Sequence, residues 1–151
     1  MRAIENEVNF ARLVPGGILI KMVEATVSAG FPSPAQDFSE EEVDLIKEFG
    51  LDKPSVFIMR ITGRSREGKD VYIPAGAIIT VDRAPKAKPG DIIVAVINGE
   101  FTLKTLLREY GKWILHAENP SFKSITVEAD DTLVIWGVVD LVLWRVKKRR
   151  P

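Results

Sequence analysis

The stretch Asp91–Leu107 reads DIIVAVINGEFTLKTLL. Asn98-Gly99 at its centre is the strongest hairpin signal in the chain, because a tight two-residue turn needs both positions at positive φ. Before the turn lies a run of β-branched residues. After it, alternation puts Phe101 and Leu103 on one strand face and Thr102 and Lys104 on the other. The stretch therefore predicts two antiparallel strands. Further strands are predicted on both sides of it. Upstream come SVFIMRIT (residues 55–62) and AIITVD (residues 77–82), with Pro89-Gly90 as a turn. Downstream come KWILHA, SITVE and TLVIWGVV, separated by Asn119-Pro120 and Asp130-Asp131. The expected fold is mostly β: a small antiparallel domain, curled or barrel-like, with one short helix and an N-terminal arm.

The arm is residues 1–38, and the domain is residues 39–151. Pro15, Gly16, Gly17, Gly30, Pro32 and Pro34 interrupt the arm too often for a helical DNA-binding domain. Ser39 opens SEEEVDLIKEFG, where Ser39 and Glu42 match a capping box and Gly50 is a stop. A helix is expected there.

Composition narrows the function classes. The 151 residues carry 21 basic and 21 acidic side chains, which leaves no general electrostatic case for nucleic-acid binding. Hydrophobic residues at 46% are enough for a core. Cysteine is absent, which excludes disulfides and thiolate chemistry. His116 is the one histidine, so a multi-histidine metal site within one chain is excluded; on an apolar strand it reads as a structural residue. The N-terminus is too charged for a signal peptide, and the most apolar run, TLVIWGVVDLVLW, is interrupted by Asp140. A soluble cytoplasmic protein is expected. Trp136 and Trp144 in that run read as core or dimer-contact residues.

ITGRSREGKD, residues 61–70, nearly spells a phosphate-binding loop. Such a loop needs a hydroxyl after the lysine and a helix to follow. Here Asp70 takes the hydroxyl position, and VYIPAGA, with Pro74, predicts no helix. Ser65 in the same loop has a different chemistry open to it. Without a histidine base, a serine can pass its proton to a neutral lysine, provided burial or nearby positive charge lowers the lysine pKa. Lys104 is a candidate; on spacing alone the solvent face of the strand is the favoured place for it.

AGFPSPAQDF, GRSREG, PAGAIITVDR, KPGDIIVAVINGEFTLKTL, AENPSF and DDTLVIWGVV occur in that order. Together they resemble the LexA/UmuD family of Ser-Lys self-cleaving peptidases, and within it the UmuD-like mutagenesis proteins of the SOS response. The resemblance covers roughly residues 28–140 and implies a small, strongly curved β domain that dimerises. It implies Ser65 as nucleophile, Lys104 as general base, and Ala29-Gly30 as the bond cut. Small residues at the cut and prolines after it suit an extended substrate entering a narrow cleft. No metal or cofactor is implied. The chain departs from the family where an acidic residue precedes the serine and a methionine follows it: Arg64 and Arg66 stand there. Two readings follow. One of the arginines lies near Lys104 and lowers its pKa, or both point to solvent.

The implied function is self-cleavage of an SOS mutagenesis protein, triggered by a RecA filament on single-stranded DNA. The trimmed homodimer then assists an error-prone translesion polymerase of the UmuC type. Neither a membrane nor sequence-specific DNA is an expected partner. The alternatives are a UmuD-like binding module with a weak or dead site, or a fragment of a LexA-type repressor.

Overall fold

The computed structural model describes residues 13, 19–23 and 40–147. The chain divides into two compact units, one within Leu13–Lys53 and one from Pro54 onward. Ala29, Gly30 and Ser39 lie outside the described residues.

In the smaller unit, β1 (Ile20–Val23) pairs antiparallel with β2 (Glu40–Val43). The helix expected from Ser39 is shorter and starts later. The three glutamates are extended, paired to β1, with Lys21 bridging to Glu40 at 3.2 Å. Helix α1 is Leu45–Glu48, and its cap is Asp44, whose Oδ1 accepts from the amides of Ile46 and Lys47. An acidic side chain with a free carboxylate thus takes the capping role the sequence offered to Ser39. The stop is where expected: Gly50, at φ 62, ends the turn.

The larger unit is a seven-stranded antiparallel sheet. Its strands are β3 (Val56–Arg60), β4 (Ile78–Asp82), β5 (Ile92–Ile97), β6 (Glu100–Glu109), β7 (Lys112–His116), β8 (Ile125–Thr126) and β9 (Leu133–Leu143). The spatial order is β3-β4-β9-β5-β6-β7-β8. The hairpin read from Asp91–Leu107 is present in register, with Ile97 opposite Glu100 and Ile93 opposite Lys104. Asn98 and Gly99 sit at φ 49 and 82, as the tight turn demands. The Asn98 side chain ties this turn to the start of β9: it donates to Asp131 Oδ1 and accepts from the Thr132 amide, each at 3.0 Å.

β5 is apolar throughout because both its faces are covered. Val94 belongs to one buried cluster with Met59, Ile73, Ile79 and Val81. Ile93, Ala95 and Ile97 belong to a second with Leu106 and Leu115. Trp136 packs edge-on against Phe57 and Phe101 beside the first cluster, the core role expected of it. Trp144 is half exposed.

Asp140 does not end β9. Along β4·β9 the register steps from Ile79↔Val142 to Val81↔Val139, so β9 carries an extra residue there. Asp140 is exposed in this bulge, and the displaced amide of Leu141 donates to the buried Thr80 hydroxyl at 3.0 Å. A second extra residue falls at Trp136, against β5, and its carbonyl accepts from Arg83 Nε. Two bulges in one long strand bend it and raise its twist.

Gly99→Val forces a β-branched residue into the left-handed region and is expected to cost about 1–2 kcal/mol. Urea unfolding should show a lower midpoint with an unchanged slope.

Candidate active site

The site is built on the loop between β3 and β4, residues 61–77. This loop closes as a wide hairpin: the Ile61 amide donates to the Ala77 carbonyl and the Gly76 amide to the Ile61 carbonyl, both at 2.8 Å. Within it the Ile73 amide donates to the Arg66 carbonyl at 2.9 Å, and Glu67 bridges to Tyr72. No helix follows Gly68, so the phosphate-loop context is missing here too.

The loop is fastened to the chain that follows β7. The Asn119 amide donates to the Ser65 carbonyl at 3.0 Å, and Asn119 Nδ2 to the Arg64 carbonyl at 2.9 Å. Gly68 lies flat against Glu118: a Cβ on it would sit 2.6 Å from both the Glu118 Cβ and its carbonyl oxygen. Glycine at 68 is therefore set by close approach. Ser65 is half-buried and held from both sides along the backbone.

Lys104 comes from the middle of β6 and is 7% exposed. Its Nζ lies 3.4 Å from Ser65 Oγ, 2.8 Å from Thr102 Oγ1 and 3.3 Å from the Leu103 carbonyl. Thr102 and Lys104 share a face, as alternation requires. That face is not wet: burial pushes the Lys104 pKa below its ordinary value of 10.5, and the charge of Arg66 pushes it further the same way. The structure thus brings together Ser65 and Lys104, 39 residues apart in sequence.

The two arginines beside Ser65 behave differently. Arg64 is on the surface, its Nε 2.6 Å from Glu67 Oε2. Arg66 is buried. Its Nη2 donates to Thr105 Oγ1 at 3.0 Å and its Nη1 to the His116 carbonyl at 3.2 Å. Glu118 Oε1 accepts from Thr105 Oγ1 at 2.9 Å and stands 3.9 Å from Arg66 Nη1. The Arg66 pKa is lowered by burial, with Glu118 opposing. The His116 ring, largely outside the core, meets Ser124 Oγ through Nδ1 at 3.1 Å and lies 3.8 Å from Glu118 Oε2 through Nε2.

Thr102, Thr105, Glu118 and Asn119 were not singled out by sequence. Asn119-Pro120 reads as a strand break, and nothing local tells that its neighbour Glu118 meets a loop some fifty residues away. Among the described residues, no cluster of metal-ligating side chains forms.

The Peptidase S24-like family matches residues 21–140. The chain belongs to that family. It is 38% identical to protein ImpA of Salmonella typhimurium over 124 residues, 81% of each chain. With protein MucA of Escherichia coli it shares 40% over 115 residues, 75% of this chain and 76% of that one. The LexA repressor of Bordetella petrii is 32% identical over 123 residues, which are 82% of this chain and 53% of the repressor. The kinship with LexA/UmuD-type serine peptidases expected from sequence therefore holds, as does the mostly β fold.

Gly68→Ala is expected to push the Ser65 loop away from Glu118 and to lower stability by about 1–3 kcal/mol, as overpacking does. Thermal unfolding measures the loss. The amide resonances of Ser65 and Asn119 should shift more than those of the distant Asn98-Gly99 turn.

Proposed function

We propose that this chain is a UmuD-like SOS mutagenesis protein that cuts its own Ala29-Gly30 bond, with Ser65 as nucleophile and Lys104 as base. The observation that carries this reading is the buried Lys104 amine against Ser65 Oγ at 3.4 Å. A neutral amine has two N–H donors and one lone pair. Thr102 Oγ1 and the Leu103 carbonyl can take the two donors. The lone pair is then left for the Ser65 hydroxyl proton. A charged ammonium in the same place has three donors and nothing with which to accept.

In the proposed reaction the Ser65 proton passes to Lys104 as Oγ attacks the Ala29 carbonyl carbon. The tetrahedral intermediate collapses when the Lys104 ammonium gives its proton to the Gly30 nitrogen, breaking the peptide bond and leaving an ester between Ser65 and Ala29. Water, its proton taken by Lys104, hydrolyses the ester. The Ser65 amide donates to no described residue and is a suitable donor for the oxyanion. The assignment of Ala29-Gly30 rests on the resemblance of AGFPSPAQDF. The same resemblance supports a RecA filament on single-stranded DNA as trigger, a homodimer as product and a UmuC-type polymerase as partner.

The chain should be incubated with RecA, nucleotide and single-stranded DNA, and separately at alkaline pH. Mass spectrometry should find residues 1–29 and 30–151. Ser65→Ala should abolish them, and Lys104→Ala should slow their appearance by at least about 100- to 10,000-fold. An intact wild-type chain under both conditions would favour a binding module instead.

The sign of the pH dependence follows from the lowered Lys104 pKa. Cleavage without RecA should speed up as pH rises through that value, below 10.5, because only the neutral amine accepts a proton. Folding should follow the same direction. The folded chain releases the Lys104 proton at lower pH than the unfolded chain does. This contribution to stability is complete above 10.5 and is lost as pH falls through the folded value. A Lys104→Met chain should lose this component of the stability–pH curve.

A further inference from the structure

Arg66 forms and breaks no bond in the proposed reaction, yet at 1% exposure it is the most deeply buried cation among the described residues. Burial is not comfortable for it. Two of its nitrogens find acceptors, but Nε finds none. A buried donor without a partner lowers stability, and an apolar side chain in the same space avoids that cost. The charge itself must therefore be sought in what it does to its neighbours.

Those neighbours are few. Arg66 directly follows Ser65, whose Oγ meets the Lys104 amine, and its Nη2 is held by Thr105, the residue after Lys104 on β6, so the chain anchors the guanidinium next to both members of the pair. From β5, the residue opposite Lys104 is Ile93, which has no charge. From β7 and the chain after it come His116 and Glu118. Glu118 touches every part of this group: Thr105 through Oε1, Arg66 through the same oxygen, and His116 through Oε2. Its side chain is 11% exposed, so water screens these contacts little.

We propose that Arg66 is an electrostatic positioning residue for the Ser65–Lys104 pair, and that Glu118 is the counter-charge that limits how much of its field reaches Lys104. The inference rests on the reading of Ser65 and Lys104 given above and adds their regulation. Arg66 destabilises the ammonium form of Lys104. Glu118 opposes this effect by neutralising Arg66. The two residues form one hydrogen-bonded group through Thr105, yet they act on the base in opposite senses.

Opposite senses give a signature that a purely structural role lacks. In the full chain carrying Ser65→Ala, which stays uncut, the Lys104 Cε resonance can be followed by NMR against pH. Arg66→Met should raise the Lys104 midpoint and Glu118→Gln should lower it, each by about half a unit or more for charges at this range in a protein interior. Arg66→Lys, which keeps the charge, should leave it near the parent. Midpoints that move in the same direction, or do not move, overturn the proposal. Far-UV circular dichroism checks folding. If Arg66→Met does not fold, the near-isosteric Glu118→Gln decides alone: a lowered midpoint supports the proposal, and an unchanged or raised one overturns it. The readout needs no cleavage. Midpoints that move as expected in a chain whose wild type never cuts itself would therefore sink the peptidase reading while leaving the charge coupling intact.

Discussion

The Lys104 amine, buried on β6 between a serine and a threonine hydroxyl, is the constraint to which the larger unit is fitted. An ammonium loses most of its hydration on burial, and among the described residues no carboxylate is bonded to it in return. Three oxygens meet it instead. One comes from its own backbone neighbour, one from two residues back on the strand, and one from a loop 39 residues away. The first two are fixed once β6 forms. The third depends on how the 61–77 loop is held; Ile73 and Ala77 root the loop in the first buried cluster, and the part around Ser65 is fastened by the chain after β7. Asn119 grips the carbonyls of Arg64 and Ser65, and Gly68 lies against Glu118. The segment after β7 thus decides whether the serine meets the lysine.

The sheet supplies the reason why that segment is within reach. β6 runs ten residues and is flanked by β5 and β7. Its partner β7 ends at His116, opposite Thr105, so the chain leaving β7 passes beside Lys104. On the other side, β9 joins the β3-β4 pair to β5, and its two bulges bend the sheet across that join. The Ser65 loop connects β3 to β4, and Lys104 lies beyond β9 and β5. Bending at β9 is a direct way for one sheet to bring its two halves toward each other, with Thr80 satisfying the amide that the bulge displaces.

What could be read from sequence divides along the same line. Period-2 patterns and turn residues are local, so Asn98-Gly99, the β5–β6 hairpin and the later strands were legible. Asp140 and the three glutamates mislead for one reason: locally a charged residue reads as a break or a helix start, whereas strand pairing with a distant partner overrides local preference. Asp140 is accommodated in a bulge, and the glutamates lie on exposed positions of a paired strand. Ser65 and Lys104 were reachable through the order of several short segments, not through spacing. Spacing alone favours the solvent face for Lys104. Glu118 and Thr105 carried no local signal, because what matters about them is that a buried guanidinium ends between them.

A serine–lysine pair of this geometry is a modest catalyst on its face. The amine is 3.4 Å from the hydroxyl, long for a hydrogen bond, and burial must keep a lysine neutral against its ordinary preference. An enzyme that turns over many substrate molecules would gain from something stronger. A chain that cuts itself needs one event per molecule, and its substrate is covalently attached. Well-oriented intramolecular reactions reach effective concentrations of about 10^5–10^8 M, far beyond any soluble substrate. On the proposed reading, a slow pair is then an advantage: the chain persists intact until something orients the arm or deprotonates the lysine. Arg66 and Glu118 act on that second lever. On that proposal, a cation that favours the neutral amine and an anion that opposes it would set the resting fraction of active base, and with it the rate at which an unprovoked chain would cut its own arm.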